Sequence, residues 1–188
     1  GWLPLRLPGA WVQAQPPGLI AGQEVVVKAM TPKIAAPLPQ LPLGLDDFMG
    51  HSWDITREIC DHHQDQTVQF RGQCYFDSGW YHEDGQLIFA HSPPLASSRR
   101  YRWCSGAAGG IDVYFEDDRF FHHIDLTQSP PTAHHHCPPD DYHVAYDFAR
   151  WPDWTAHWQV SGPRKSYDMH SCYRKRTDEP LRSADDKG

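Results

Sequence analysis

The chain has 188 residues, 39% hydrophobic and 22% charged, which suits one domain with an extension. A net charge of −7 with histidine neutral, and no basic stripe, argue against nucleic-acid binding. No apolar run approaches the roughly 20 residues that cross a bilayer, and the five cysteines (Cys60, Cys74, Cys104, Cys137 and Cys172) are dispersed without a C-x-x-C pair. A disulfide framework is therefore not expected, and a reducing cytoplasm is the expected setting. Eight Trp, eight Tyr and eight Phe favour a β-rich fold, because aromatic side chains fit pleated, half-buried surfaces.

Residues 1–43 are rich in proline and carry one acidic residue, Glu24. They read as a poorly ordered extension with one short strand at Gln23–Lys28. The composition changes at Leu45-Asp46-Asp47-Phe48, where Asp46 can cap a helical turn that places Leu45 and Phe48 on a core. Trp53, Ile55 and Ile59 then alternate with Asp54, Thr56 and Glu58, the signature of a half-buried strand. Arg57 sits on the apolar face, either as a snorkelling stem or as a charge directed into a cavity. After a polar turn at Asp61–Asp65, Val68, Phe70, Cys74 and Phe76 share a face. Gly72 falls at an inward position and suggests a bend or bulge. Asp84-Gly85 is a strong hairpin signal between two short strands. A Ser/Pro loop leads to Tyr101 and Trp103 on one face, with Arg100 and Arg102 on the other.

Ala107–Gly110 reads as a loop. Ile111, Val113 and Phe115 alternate up to an Asp117-Asp118 turn, and the chain returns through Arg119–Leu126. A Pro-rich loop with His134, His135, His136 and Cys137 follows. Tyr142–Phe148, Trp154–Val160 and Ser166–Arg174 are the last strands, and residues 177–188 form a charged, disordered tail. About ten strands with short connections and no long helix predict an all-β, antiparallel, up-and-down barrel over 44–176. A barrel of this size can hold a small ligand.

Ordered motifs run through this domain: Trp53-x-Ile55-x-Arg57-x-Ile59, Phe70-x-Gly72, Tyr81-x-Glu83-x-Gly85, Arg100-Tyr101-x-Trp103 and Asp118-Arg119-x-Phe121-His122. They continue with His135-x-Cys137-x-x-Asp140-x-Tyr142, Gly162-Pro163-x-Lys165-x-Tyr167 and Tyr173-Arg174. Together they resemble the bacterial and fungal domain of unknown function 6314 over residues 45–176. The resemblance implies a lipocalin-like (calycin) barrel. It also implies that Trp53 is covered at one barrel end by Arg174, with Arg176 as a substitute. It supplies no established reaction.

The candidate chemistry lies between residues 100 and 142 and on the last strand. His122 has inward parity and can be a core histidine or an acid–base group; with Tyr142 it forms the candidate catalytic pair. Arg57, Arg100, Trp103, His135, Asp140, Lys165 and Tyr173 are the candidate ligand-binding residues. An inward Arg or Lys needs a carboxylate partner, such as Asp140 for Arg100, or an anionic ligand. Neither a metal nor a cofactor is expected. Zinc at His134–Cys137 and haem on an inward histidine are the alternatives, and Cys137 as a nucleophile is a remoter one. The leading expectation is a barrel that binds a small, partly aromatic or anionic molecule, with no nucleic acid or membrane as partner. The alternative is a lyase, isomerase or cyclase in the same cavity.

Overall fold

A computed structural model describes residues 10–13, as backbone, and 43–177. A 3-10 turn at Leu45–Asp47 precedes ten strands that form one antiparallel sheet. These are β2 (Ser52–Asp61), β3 (Gln66–Asp77), β4 (Trp80–Phe89), β5 (Ser92–Ser105) and β6 (Ile111–Tyr114). They continue with β7 (Phe120–Ile124), β8 (Thr132–Cys137), β9 (Asp140–Asp147), β10 (Trp154–Gly162) and β11 (Lys165–Lys175). Each strand from β2 to β7 and from β8 to β11 pairs with the next along the chain, and β2 pairs with β11, so the order is β7-β6-β5-β4-β3-β2-β11-β10-β9-β8. The free edges of β7 and β8 come together, and the sheet is a nearly closed up-and-down barrel. The short strand β1 (Ala10–Gln13) adds to the free edge of β5 opposite Ala96–Arg99. The expected strand at Gln23–Lys28 and the charged tail beyond 177 lie outside the described residues.

Alternation builds the wall. In β2, Trp53, Ile55, Arg57 and Ile59 are buried while Asp54, Thr56 and Glu58 are exposed. The same period places Val68, Phe70, Cys74 and Phe76 of β3 and Tyr167, Met169, Ser171 and Tyr173 of β11 inside. One barrel end is filled by aromatic rings. Phe48, delivered by the 3-10 turn, lies 5.3 Å from Phe76, 5.4 Å from Trp103 and 4.9 Å from Trp151, ring centre to ring centre. The turn is fastened by Asp47, whose carboxylate accepts the Gly44 N–H at 2.7 Å, rather than by Asp46 as expected.

Five sequence expectations change. Asp84-Gly85 is not a turn; β4 runs through it without a break. Gly85 faces Gly72 across β3 and β4, and the Phe70 ring lies over both. A Cβ at Gly72 would come within 2.3 Å of the Asp84 carbonyl oxygen, so the glycine pair permits close approach rather than a bulge. The His134–Cys137 segment is not a loop but strand β8, paired with β9. The Ser/Pro stretch from Ser92 belongs to β5. Ala107–Gly110 contains a 3-10 turn, Ala107–Gly109. The Asp117-Asp118 turn is present, and Asp118 adopts a positive φ of 63° there, a conformation Asp tolerates better than most residues.

Candidate functional site

The barrel interior carries a charge cluster. Arg57 on β2 makes two parallel hydrogen bonds to Glu83 on β4, Nη1 to Oε1 at 2.7 Å and Nη2 to Oε2 at 2.6 Å. Its Nε donates to the Ser171 hydroxyl at 2.6 Å, and its guanidinium lies 4.8 Å from the Phe70 ring centre. Arg99 faces Glu83 directly across β4 and β5 and donates from Nη2 to Oε2 at 3.0 Å. The Arg99 Nε is 2.8 Å from Oε1, an ion-pair contact without hydrogen-bond alignment. The Tyr81 hydroxyl also donates to Glu83, and Arg99 is hydrogen-bonded to Tyr101. Arg57 is 1% exposed, Glu83 2% and Arg99 8%.

Two guanidinium groups thus share one carboxylate out of water. Burial alone would push the Glu83 carboxyl up, but Arg57 and Arg99 together hold it far below the usual carboxylate range. Burial works against both arginines, and Glu83 more than offsets this, so both remain charged. Burial raises Tyr81, Tyr101 and Tyr173, which are neutral hydroxyls at ordinary pH. The cluster therefore carries one positive charge in excess. An unpaired charge in an interior costs several kcal/mol.

Arg99 lines a cavity of about 40 Å³, shared with Tyr101, Trp103, His122, Trp154 and Tyr173 among others. That volume admits about three water centres or one compact solute. The walls are aromatic plates. Trp154 stacks on Tyr173 at 3.5 Å with a 3° angle between planes, and Phe121 on Trp158 at 5.2 Å and 12°. Val113, Val160 and Met169 complete an apolar side. Besides Arg99 with its Nε, three cavity-lining residues carry a buried nitrogen with no hydrogen-bond partner among the described residues: Trp103 Nε1, Trp154 Nε1 and His122 Nδ1. Such groups are rare in folded proteins and mark strain, function or an absent partner.

His122 occupies its expected inward position on β7 and is 3% exposed. Its Nε2 is 2.8 Å from the Tyr146 hydroxyl on β9. Burial, with lesser repulsion from His135 and His123, lowers its pKa to about 3, so the ring is neutral at pH 7. Tyr142, its expected catalytic partner, is elsewhere: the Tyr142 hydroxyl accepts from Lys165 Nζ at 2.9 Å. Lys165 in turn pairs with Asp140 at 2.6 Å. Lys165, Asp140 and Tyr142 thus form a self-satisfied group near the β8–β9 and β10–β11 turns. None of the three lines the Arg99 cavity.

The other candidates separate cleanly. Trp103 and Tyr173 line the cavity, and Arg57 stands behind it through Glu83. Arg100 is a correction. It points outward, pairs with Glu116 at 3.1 Å and lies over Trp80, so Asp140 is not its partner. The inward arginine is its neighbour Arg99, which shares parity with Tyr101 and Trp103. Arg174 is a second correction. It is exposed, and the cation over the Trp53 ring is Lys175 at 4.4 Å, directly opposite Trp53 in the β2–β11 register. Trp53 donates its indole N–H to the Pro152 carbonyl at 2.7 Å, and Arg176 pairs with Asp54.

His135 is half-buried at the β7–β8 junction, 5.2 Å from the Phe121 ring and 5.8 Å from Phe115. His134 and His136 face outward and share one oxygen of Asp141, at 3.0 and 2.8 Å. Among the described residues no group of three or more His, Cys, Asp or Glu side chains is placed to hold a metal ion. The 40 Å³ cavity is far smaller than haem requires. Cys137 is exposed on β8.

Glu83, Arg99, Tyr81 and Tyr146 have places in the site that sequence reasoning did not give them. For Glu83 and Arg99 the signal was parity: Glu83 shares a face with Tyr81 and Leu87, as Arg99 does with Tyr101.

Residues 48–175 match a family described as "Family of unknown function (DUF6314)". The chain belongs to this family. The matched span begins at Phe48 of the aromatic plug and ends at Lys175 over Trp53, so it contains the whole cavity wall. No curated protein and no solved structure matches the chain. Among the described residues no helix is long and apolar enough to cross a membrane.

Proposed function

We propose that this DUF6314 barrel binds a compact, negatively charged small molecule in its interior. The observation that carries the reading is the excess positive charge of the Arg57–Glu83–Arg99 cluster, with Arg99 on the cavity wall. An anion beside Arg99 offsets a charge that the protein leaves unbalanced. The rest of the wall is apolar or aromatic, as in most small-molecule sites. The cavity's 40 Å³ selects compact ligands over extended aromatic ones.

Binding is favoured over acid–base catalysis by His122. A ring whose pKa is lowered to about 3 is a weak base at neutral pH, and its hydroxyl partner Tyr146 is neutral as well. His122 serves here as a hydrogen-bonding group on the wall.

Calorimetric titration of the purified chain with small carboxylates tests the reading. The expected result is saturable one-to-one binding that weakens at least tenfold in Arg99→Met. Absence of saturable binding to any small anion in the wild-type protein would overturn it.

A further inference from the structure

We infer that the ligand is a monocarboxylate with a short apolar tail, its oxygens received by Arg99 and by the indole N–H groups of Trp103 and Trp154. This deepens the anion-binding reading and rests on it. Charge, donors, shape and size each narrow the class.

The charge count sets the valence. Arg57 and Arg99 against Glu83 leave one positive charge, and the surrounding phenols are neutral. A monoanion balances the site. A phosphate monoester or sulfate dianion reverses the imbalance and leaves one buried negative charge unpaired. The orphan nitrogens set the hydrogen-bonding character. Indole N–H groups only donate, so Trp103 Nε1 and Trp154 Nε1 call for acceptor oxygens. His122 Nδ1 is a third unpartnered position on the same wall, with its other nitrogen engaged by Tyr146. A carboxylate is acceptor-only, with two oxygens and about four lone-pair directions, enough for a guanidinium and two indoles together.

Shape and size separate carboxylates from the other planar monoanions. The stacked Trp154–Tyr173 and Phe121–Trp158 pairs favour a flat headgroup. Val113, Val160 and Met169 offer apolar contact that bicarbonate and nitrate cannot use. The 40 Å³ volume limits the tail to one or two carbons.

The test uses the full chain with tryptophan labelled by ¹⁵N at the indole nitrogen. Sodium propanoate, bicarbonate, nitrate, sulfate and inorganic phosphate are titrated separately while the indole N–H resonances are followed. The expected result is saturable propanoate binding, with the Trp103 and Trp154 N–H signals moving downfield and those of the other tryptophans little changed. Phosphate and sulfate should bind at least tenfold more weakly, and bicarbonate and nitrate more weakly than propanoate. Trp103→Phe and Trp154→Phe keep a ring and remove the donor, and each should weaken propanoate at least fivefold. The indole shifts are read in the wild-type protein, so the test stands even where a variant does not fold. Propanoate binding that leaves both signals unmoved would overturn the inference, as would equal binding of phosphate. If Arg99→Met abolishes propanoate binding but the indoles take no part, this inference alone fails. If none of the five anions binds, the anion-binding reading fails with it.

Discussion

At the scale of single residues, Glu83 is the group on which the interior depends. It receives Arg57, Arg99 and Tyr81, and its removal would leave two guanidiniums without a carboxylate. Glu83→Gln keeps the shape and deletes the charge, and we expect a loss of about 3–5 kcal/mol of stability, read from urea unfolding. A fully folded variant of wild-type stability would show that the arginines are compensated in some other way. His122 gives a prediction in pH. Its pKa falls from about 6.5 in the unfolded chain to about 3 in the fold, so between those values the unfolded state binds the extra proton. Stability from the neutral ring is fully present above pH 6.5 and is lost as pH falls toward 3. The slope from this one residue is about 1.4 kcal/mol per pH unit in that window. Unfolding midpoints measured from pH 4 to 8 should fall more steeply with acid in the wild type than in His122→Gln. Identical slopes would remove His122 as the cause. Thiol labelling separates the cysteines: Cys137 and Cys172 are exposed and should react quickly, whereas Cys74 is enclosed and should wait for unfolding.

At the scale of strands, the glycine pair Gly72 and Gly85 lets β3 and β4 pass beneath the Phe70 ring. Gly72→Ala places a methyl group within 2.3 Å of backbone oxygen, with no flexible side chain able to yield. We expect it to cost about 3 kcal/mol or to prevent folding, whereas alanine at Gly50, which has open space around it, should cost less despite its positive φ. Similar melting temperatures for the two variants would contradict this account of the pair. The same glycines show what the sequence conceals. Alternation made the strands readable, because Trp53, Ile55 and Ile59, or Val68, Phe70, Cys74 and Phe76, announce an inner face. Asp84-Gly85 carried a stronger local turn signal than its surroundings, yet cross-strand packing of Gly85 on Gly72 prevailed. β8 was hidden for a different reason. Only Ala133 and His135 are partly buried there, so the strand has no apolar stripe to reveal it. Parity alone would have separated Arg99 from Arg100 and Lys175 from Arg174. The motif Arg100-Tyr101-x-Trp103 drew attention to the wrong arginine. Glu83 and Arg99 went unassigned because charged residues at inward positions look like breaks in the apolar pattern, until the fold sets Arg99 opposite Glu83 on the adjacent strand and Arg57 two strands away.

At the scale of the molecule, one barrel end is plugged by Phe48 and its aromatic neighbours, and Lys175 covers Trp53 there. The wall is hydrogen-bonded everywhere except between β7 and β8 within the ten-strand ring. Phe121, His135 and Trp158 stand at that junction, and Trp158 is both half-buried and part of the cavity wall. The barrel wall lacks backbone pairing here, so this is the expected route between the cavity and water. Trp158→Ala should therefore speed ligand exchange severalfold, read as off-rate by relaxation-dispersion NMR, with a smaller effect on affinity than Arg99→Met. An unchanged off-rate would place the entrance elsewhere.

The central claim is that an anion belongs inside this barrel, against Arg99. The most direct measurement is a crystal of the full chain soaked in bromide and measured at the bromine absorption edge. The account predicts an anomalous peak in the cavity, within contact distance of the Arg99 guanidinium and enclosed by Trp103, His122 and Trp154. Bromide found only on the outer surface, with the cavity filled by ordered water or by side chains, would contradict it.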